Sequence, residues 1–251
     1  MTWIAGIPLR IGTGYRWYSF LFNRKVYEHR KDARRHELEY NLNLLQTIEC
    51  PVEPQETVPR ITISDEVLHR MKKQLADMGI REAEKIVVLH PGSGGSARDW
   101  PVRNFGELAR QLSLLGNVRV IVTGGRNEAN LVADVRRIGG PQILTIVDQL
   151  TLKELAALAK ISTLFIANST GPLHLAATVG TRVIGLYPQV TALRAERWGP
   201  YTSRKVIFTP VGKPHDCTEC LHSSGDCVCM SSISVGEVYR AAVDFLSKDR
   251  E

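Results

Sequence analysis

A chain of 251 residues with 43% hydrophobic and 23% charged side chains has the composition of a soluble globular protein, long enough for one or two domains with a real core. No apolar run approaches the ~18 residues of a membrane span, and the start MTWIAGIPLR lacks the charged and apolar regions of a signal peptide. The expected compartment is the cytoplasm, with thiols reduced. The net charge of +6 is unevenly placed. Arg10, Arg16, Arg24, Lys25, Arg30, Lys31, Arg34 and Arg35 face only Glu28 and Asp32 in residues 1–35, and this accounts for the whole excess. The same stretch interleaves Trp3, Tyr15, Trp17, Tyr18, Phe20, Phe22 and Tyr27. Such a mixture suits an anionic amphiphile, a membrane surface or nucleic acid. It equally suits one half of a core whose other half lies elsewhere.

In chain order, residues 33–48 read as a helix, with Leu38, Leu42 and Leu45 at helical spacing. Pro51, Pro54 and Pro59 then mark a polar linker. Ser64 can cap a helix over 65–78 that Gly79 stops. From there strands and helices alternate. Strand-like runs fall at 86–90, 119–123, 143–147, 164–167, 183–187 and 205–208, with helical patterns at 103–115, 127–138, 151–160 and 172–179 between them. The strands are continuous Val/Ile-rich runs, as expected where helices cover both faces of a parallel sheet. A doubly wound α/β domain follows from that pattern, closed by a helix over 234–246. In such sheets ligands sit beyond the carboxyl ends of the strands, so the loops after each strand carry the information.

The first loop, HPGSGGSARDWP at 90–101, supplies three glycines and two serines whose N–H groups can close around an anion, and Arg98 adds charge. It is neither a Walker A loop nor a GxGxxG fingerprint. The second, TGGRNE at 123–128, places Glu128 just inside the next helix. There it can accept hydrogen bonds from ribose hydroxyls, or simply complement the helix dipole. The third is NSTGPLH at 168–174. Gly171-Pro172 starts a helix there, because proline gives up only an N–H that the first turn leaves unpaired. Free N–H groups and a positive dipole end then face whatever sits above the strand. Together the loops outline a nucleotide-diphosphate site. With no Asp-x-Asp pair in the chain, helix dipole and cations rather than a divalent metal are expected to neutralise phosphate.

Cys217, Cys220, Cys227 and Cys229 fall in one short loop, with His215 and His222 nearby. Cys-x2-Cys is a good half of a structural zinc site and Cys-x-Cys an uncommon second half. Reduced thiols packed beneath a loop, or disulfides in an oxidising space, are the alternatives.

The three loops in this order resemble glycosyltransferase family 9, the heptosyltransferases of lipopolysaccharide synthesis. The likeness runs through HPGSGGSARDWP, VIVTGGRNE, DQLTLKELAALAKISTLFIANSTGPLHLAATVGTRVIGLYP and WGP at 198–200, nearly all of 85–250. It implies a GT-B-type C-terminal Rossmann-like domain over 60–251, preceded by a remnant of the N-terminal, acceptor-side domain over 1–59. By resemblance, Ser93, Gly94, Gly95 and Arg98 bind phosphate and Glu128 the ribose. Asn168, Ser169, Thr170, Gly171 and His174 form the segment that meets the donor diphosphate. The implied reaction is transfer of heptose, with inversion, from ADP-heptose to a lipopolysaccharide core at the inner membrane surface. It requires no cofactor and involves no nucleic acid. The resemblance puts the catalytic base in a part of the N-terminal domain with no counterpart here. A nucleotide-sugar-binding chain without activity is therefore the alternative expectation. Where the family pattern has an acidic residue this chain has Ser169, so the likeness implies the nucleotide more firmly than the sugar.

Overall fold

The computed structural model describes residues 3–50, 58–211 and 228–248, apart from the side chains of Lys31 and Val228. The chain divides into two units, Met1–Val58 with Glu196–Trp198, and Pro59–Ala195 with Gly199–Glu251.

In the first unit, two three-residue strands, β1 (Ile11–Thr13) and β2 (Arg24–Val26), pair in parallel. A 3-10 turn over Trp17–Leu21 lies in the connection. The predicted helix over 33–48 is shorter than expected. Ala33 adopts a left-handed φ of 50° and His36 is extended, so the α-helix α1 runs only over Glu37–Asn43 before tightening into a 3-10 turn at Leu44–Ile48. His36 caps it, its Nδ1 accepting the Leu38 N–H at 3.1 Å. Glu37 in its first turn holds two guanidinium groups, Arg30 at 2.6 Å and Arg197 at 3.0 Å. Most of the aromatic side chains here stay in solvent: Trp17 is 86% exposed, Phe20 70% and Tyr27 62%.

The second unit begins with α2 (Asp65–Asp77). Ser64 occupies the capping position, but its side chain makes no capping bond; its backbone carbonyl accepts Leu68 N–H at 3.1 Å instead. Six strands follow: β3 (Lys85–His90), β4 (Val118–Gly124), β5 (Leu144–Val147), β6 (Leu164–Asn168), β7 (Arg182–Leu186) and β8 (Lys205–Phe208). Interleaved with them are α3 (Val102–Ser113), α4 (Ala129–Gly139), α5 (Leu152–Ile161) and α6 (Gly171–Thr178); between β7 and β8 the chain also forms the short α7 (Ala195–Trp198), of which Glu196–Trp198 belong to the first unit. The chain continues into α8 (Val228–Ser231) and α9 (Val235–Ser247). Every strand pair is parallel, in the order β5-β4-β3-β6-β7-β8. The sheet is therefore an open, doubly wound α/β sheet whose order reverses between β3 and β6.

Alternate residues of these strands enter opposite layers. Val87, Leu89, Leu164, Ile166, Ile184 and Leu186 pack with Phe105, Leu108 and Leu112 of α3, Val132 and Val135 of α4, and Val238 and Ala242 of α9. On the other face α2 packs on α5, and α5 on α6. Because both faces are covered, the strands are apolar throughout, and their burial is nearly complete from Ile86 to Leu89 and from Leu164 to Ala167.

Helices α3 and α4 approach closely because Gly106 faces Ile138. A methyl group on Gly106 would lie 2.5 Å from Ile138 Cβ. Gly106→Val is expected to force these helices apart at a cost of about 1–3 kcal/mol. In urea the unfolding midpoint should fall with no change in the slope of the transition.

Candidate functional site

The reversal between β3 and β6 opens a crevice at the carboxyl ends of the strands, and the three glycine- and hydroxyl-rich loops project from that rim. The loop after β3 turns through consecutive left-handed glycines, Gly94 at φ 58° and Gly95 at φ 81°. That backbone favours glycine because a Cβ would crowd it. Ser93, buried at the base, holds the turn: its carbonyl accepts Ser96 N–H at 3.1 Å and Ser96 Oγ–H at 2.7 Å. The exposed N–H groups of Gly94 and Gly95 have no acceptor among the described residues. Further on, Arg98 Nη2 and Asp99 Oδ1 are shielded from solvent with no hydrogen-bond partner among the described residues. Burial pushes the Asp99 carboxyl above its ordinary pKa. Hydrogen bonding to Ser93 and the Arg98 charge oppose that shift, and the Glu128 charge adds to it.

Asn168, at the end of β6, crosses the crevice. It is fully buried, its Oδ1 accepts Trp100 N–H at 2.9 Å and its Nδ2 donates to Pro91 carbonyl at 2.6 Å. The amide thus joins the β6 loop to both ends of the β3 loop. Trp100 is anchored again through its indole N–H, which donates to Ile233 carbonyl at 3.0 Å. Ser169 donates its N–H to Leu186 carbonyl at 3.1 Å, and its hydroxyl bonds that of Tyr187, whose pKa burial raises. Thr170 is the N-cap of α6 with extended backbone and no side-chain cap, and Pro172 sits in the first turn. The N–H of Gly171 has no acceptor among the described residues, as expected of a first-turn donor. His174 lies half-buried one turn into the helix.

Glu128 lies at the helix start as expected, but in a 3-10 turn rather than in the α-helix itself. It closes a 3-10 turn over Arg126–Glu128 and precedes α4. Its Oε2 accepts Gly125 N–H at 2.8 Å, folding the acid back over its own loop. Gly92 makes room for it, since a Cβ there would overlap the Glu128 carboxylate. Beside it, burial holds the His90 imidazole below its usual pKa although Glu128 pulls the other way.

The structure thus gathers Ser93, Gly94, Gly95, Arg98, Glu128, Asn168, Ser169, Thr170, Gly171 and His174 on the loops of one sheet rim. It also brings in His90, Asp99, Thr123 and Tyr187, which sequence reasoning missed. His90 and Asp99 were visible in the first loop, but their burial follows from strand register and loop path. Among the described residues no group of three or more His, Cys, Asp or Glu side chains could hold a metal. Cys217, Cys220 and Cys227 of the zinc expectation lie outside the described residues; Cys229 is half-buried on α8. A cavity of about 740 Å³, lined by His69, Lys72, Ile80, Lys85 and Thr163 among others, opens at the opposite, amino-terminal end of β3 and β6. It is on the wrong edge for switch-point chemistry.

An open, doubly wound parallel sheet with glycine-rich loops at its switch point defines a Rossmann-like α/β fold. Comparison with known proteins narrows that class. The family model "Glycosyltransferase family 9 (heptosyltransferase)" matches residues 1–225, and the chain belongs to this family. A curated Haemophilus influenzae protein described as a glycosyltransferase is 29% identical over 226 residues, covering 84% of this chain and 63% of that protein. Among solved structures, a family 9 glycosyl transferase from Veillonella parvula superposes with a TM-score of 0.82 at 19% identity, covering 98% of this chain and 70% of its own. The E. coli ADP-heptose lipopolysaccharide heptosyltransferase II gives 0.76 at 16% identity, covering 98% and 72%. The chain therefore spans less than two thirds of the curated relatives it matches.

Two outcomes are expected of the site's polar groups. Asn168→Ala leaves Trp100 N–H and Pro91 carbonyl buried without partners, at a cost of about 2–4 kcal/mol in urea unfolding. Asp99→Asn removes a carboxylate whose ionisation the fold opposes. With its folded pKa raised above the unfolded value of 3.8, Asp99 disfavours the folded state once pH exceeds that value. The variant is expected to melt a few degrees above the parent at pH 7, the difference shrinking as pH falls toward 4.

Proposed function

We propose that this chain forms the donor side of an inverting glycosyltransferase, binding ADP-heptose and passing heptose to a lipopolysaccharide core acceptor. The observation that carries the reading is the shielded, unpartnered guanidinium nitrogen of Arg98 on the same crevice as the free N–H groups of Gly94, Gly95 and Gly171. A shielded guanidinium nitrogen without a hydrogen-bond partner is costly, and an anionic ligand would satisfy it. Glu128, folded back over the adjacent loop, supplies the acceptor that ribose hydroxyls need. The names of family relatives, ADP-heptose lipopolysaccharide heptosyltransferase among them, supply the sugar and the acceptor class.

In this reading the acceptor hydroxyl attacks the anomeric carbon as the bond to the β-phosphate oxygen breaks. The electron pair leaves with ADP. Its growing charge is met by Arg98, by the glycine N–H groups and by the positive end of α6. These contacts strengthen as charge moves onto the leaving group, which is the condition for lowering the barrier. The hydroxyl proton goes to a base on the acceptor side, a role that none of the ten candidate residues on this rim takes. Ser169, bonded to Tyr187, offers the sugar a neutral hydroxyl. The basic and aromatic first unit, with Trp17, Phe20 and Tyr27 in solvent near Arg16, Arg24 and Lys25, suits an anionic glycolipid at the inner face of the cytoplasmic membrane.

Calorimetry of the full chain with ADP, UDP and GDP tests the donor reading. ADP is expected to bind best, and Arg98→Ala to weaken it by about 10- to 100-fold, the value of one charge-assisted contact. Binding of none of the three would overturn it. A transfer assay with ADP-heptose and truncated lipopolysaccharide then separates an enzyme from a binder.

A further inference from the structure

Beneath the Glu128 loop lies a buried imidazole that the donor contacts leave unused. His90 ends β3, is 6% exposed, and stacks on Phe165 of β6 with ring centroids 6.4 Å apart. Its Nδ1 stands 2.9 Å from the Thr123 hydroxyl on neighbouring β4, and its Nε2 3.7 Å from Glu128 Oε2. Burial keeps the ring neutral at neutral pH, so one nitrogen carries the proton and the other accepts. With the proton on Nδ1, Thr123 would accept it and the Nε2 lone pair would face a carboxylate oxygen. With the proton on Nε2, the Thr123 hydroxyl donates to Nδ1 and a positive N–H end stands 3.7 Å from Glu128 Oε2, an electrostatic contact longer than a hydrogen bond. The second arrangement replaces a repulsion with an attraction. In it the Thr123 hydroxyl gives up Leu89 carbonyl, a long contact of 3.4 Å, for the ring nitrogen.

Glu128 divides its oxygens accordingly. Oε2 takes the Gly125 N–H at 2.8 Å and faces His90. Oε1 has no hydrogen-bond partner among the described residues and sits against the bare face of Gly92. We propose that His90 is a positioning residue for ribose recognition: Thr123 sets its tautomer, its Nε2–H steadies one oxygen of Glu128, and the other oxygen is left for the ribose diol. The inference rests on the reading of Glu128 as the ribose acceptor.

The test compares ADP with 2′,3′-dideoxy-ADP, which lacks both hydroxyls, by calorimetry on the full chain. The unsubstituted protein is expected to prefer ADP by about tenfold or more, the value of a hydrogen bond to a charged group. His90→Phe keeps the ring packing on Phe165 and should cut that preference to less than about threefold. Its affinity for the dideoxy nucleotide should hold within about twofold, which also reports a folded site. His90→Gln restores an N–H donor and should retain most of the preference. Thr123→Val should behave as His90→Phe does, and Thr123→Ser as the parent. In a Glu128→Ala background His90→Phe should have no further effect.

A parent that prefers ADP, with a His90→Phe variant preferring it equally, overturns the positioning role alone. A parent indifferent to the missing hydroxyls removes the ribose reading of Glu128, and the positioning role falls with it. If His90→Phe does not fold, the Thr123→Val and Thr123→Ser pair decides the question by the same ratio.

Discussion

The crevice exists in its present form because one buried amide spans it. Asn168 reaches from the last residue of β6 to Pro91 and Trp100, at the two ends of the loop that leaves β3. At a switch point the chain departs in opposite directions from neighbouring strands, so no sheet hydrogen bonds continue past the strand ends to hold the loops together. A side chain with a donor and an acceptor can replace that missing ladder, and asparagine is the smallest that carries them on separate atoms. Buried and fully satisfied, such a bridge fixes geometry more firmly than an exposed contact of equal length. The glycine turn, the Arg98 side chain and the start of α6 all take their positions relative to this seam.

Negative charge around the seam is held in check. The fold opposes ionisation of Asp99, holds His90 neutral, and folds Glu128 back toward Gly125. Arg98 keeps a shielded nitrogen uncommitted while Arg126, farther out on the rim, is paired with Asp148 at 2.8 Å. The contrast between these two arginines has a physical cause. An exposed pair such as Arg126–Asp148 is screened and worth little, so it ties loops without defining a site. A shielded guanidinium nitrogen without a hydrogen-bond partner is costly wherever it sits.

Much of the sheet was legible in the sequence, because strands covered on both faces must be apolar at every position, and such runs stand out. The edges of elements moved by a residue or two, as helix ends do. The first unit was harder. β1 and β2 are three residues each, and Arg24-Lys25 gives β2 no apolar signature. The expected helix over 33–48 failed at its start because Ala33 takes a left-handed turn, which spacing of leucines cannot reveal. At the rim, composition marked all three loops, since glycine and small hydroxyl residues are what tight turns require. The work of individual side chains was less visible. Asn168 read as part of the ligand segment, yet both its polar groups are taken by residues 68 and 77 positions away. His90 meets Thr123 only through the pairing of β3 with β4. Partners this distant in sequence are supplied by topology.

The space above Gly92 carries a consequence for how these loops can change. The Glu128 carboxylate fills the volume that any larger residue at position 92 would need. Two loops 36 positions apart in numbering are therefore locked like a key and its ward. A methyl group acquired at 92 would evict the acid before any ligand arrived. Loss of the acid would open room for side chains at 92. Mutational paths through this corner are thus ordered: the acid must go first, or both must change together, for the loop after β3 to gain bulk without distorting the crevice.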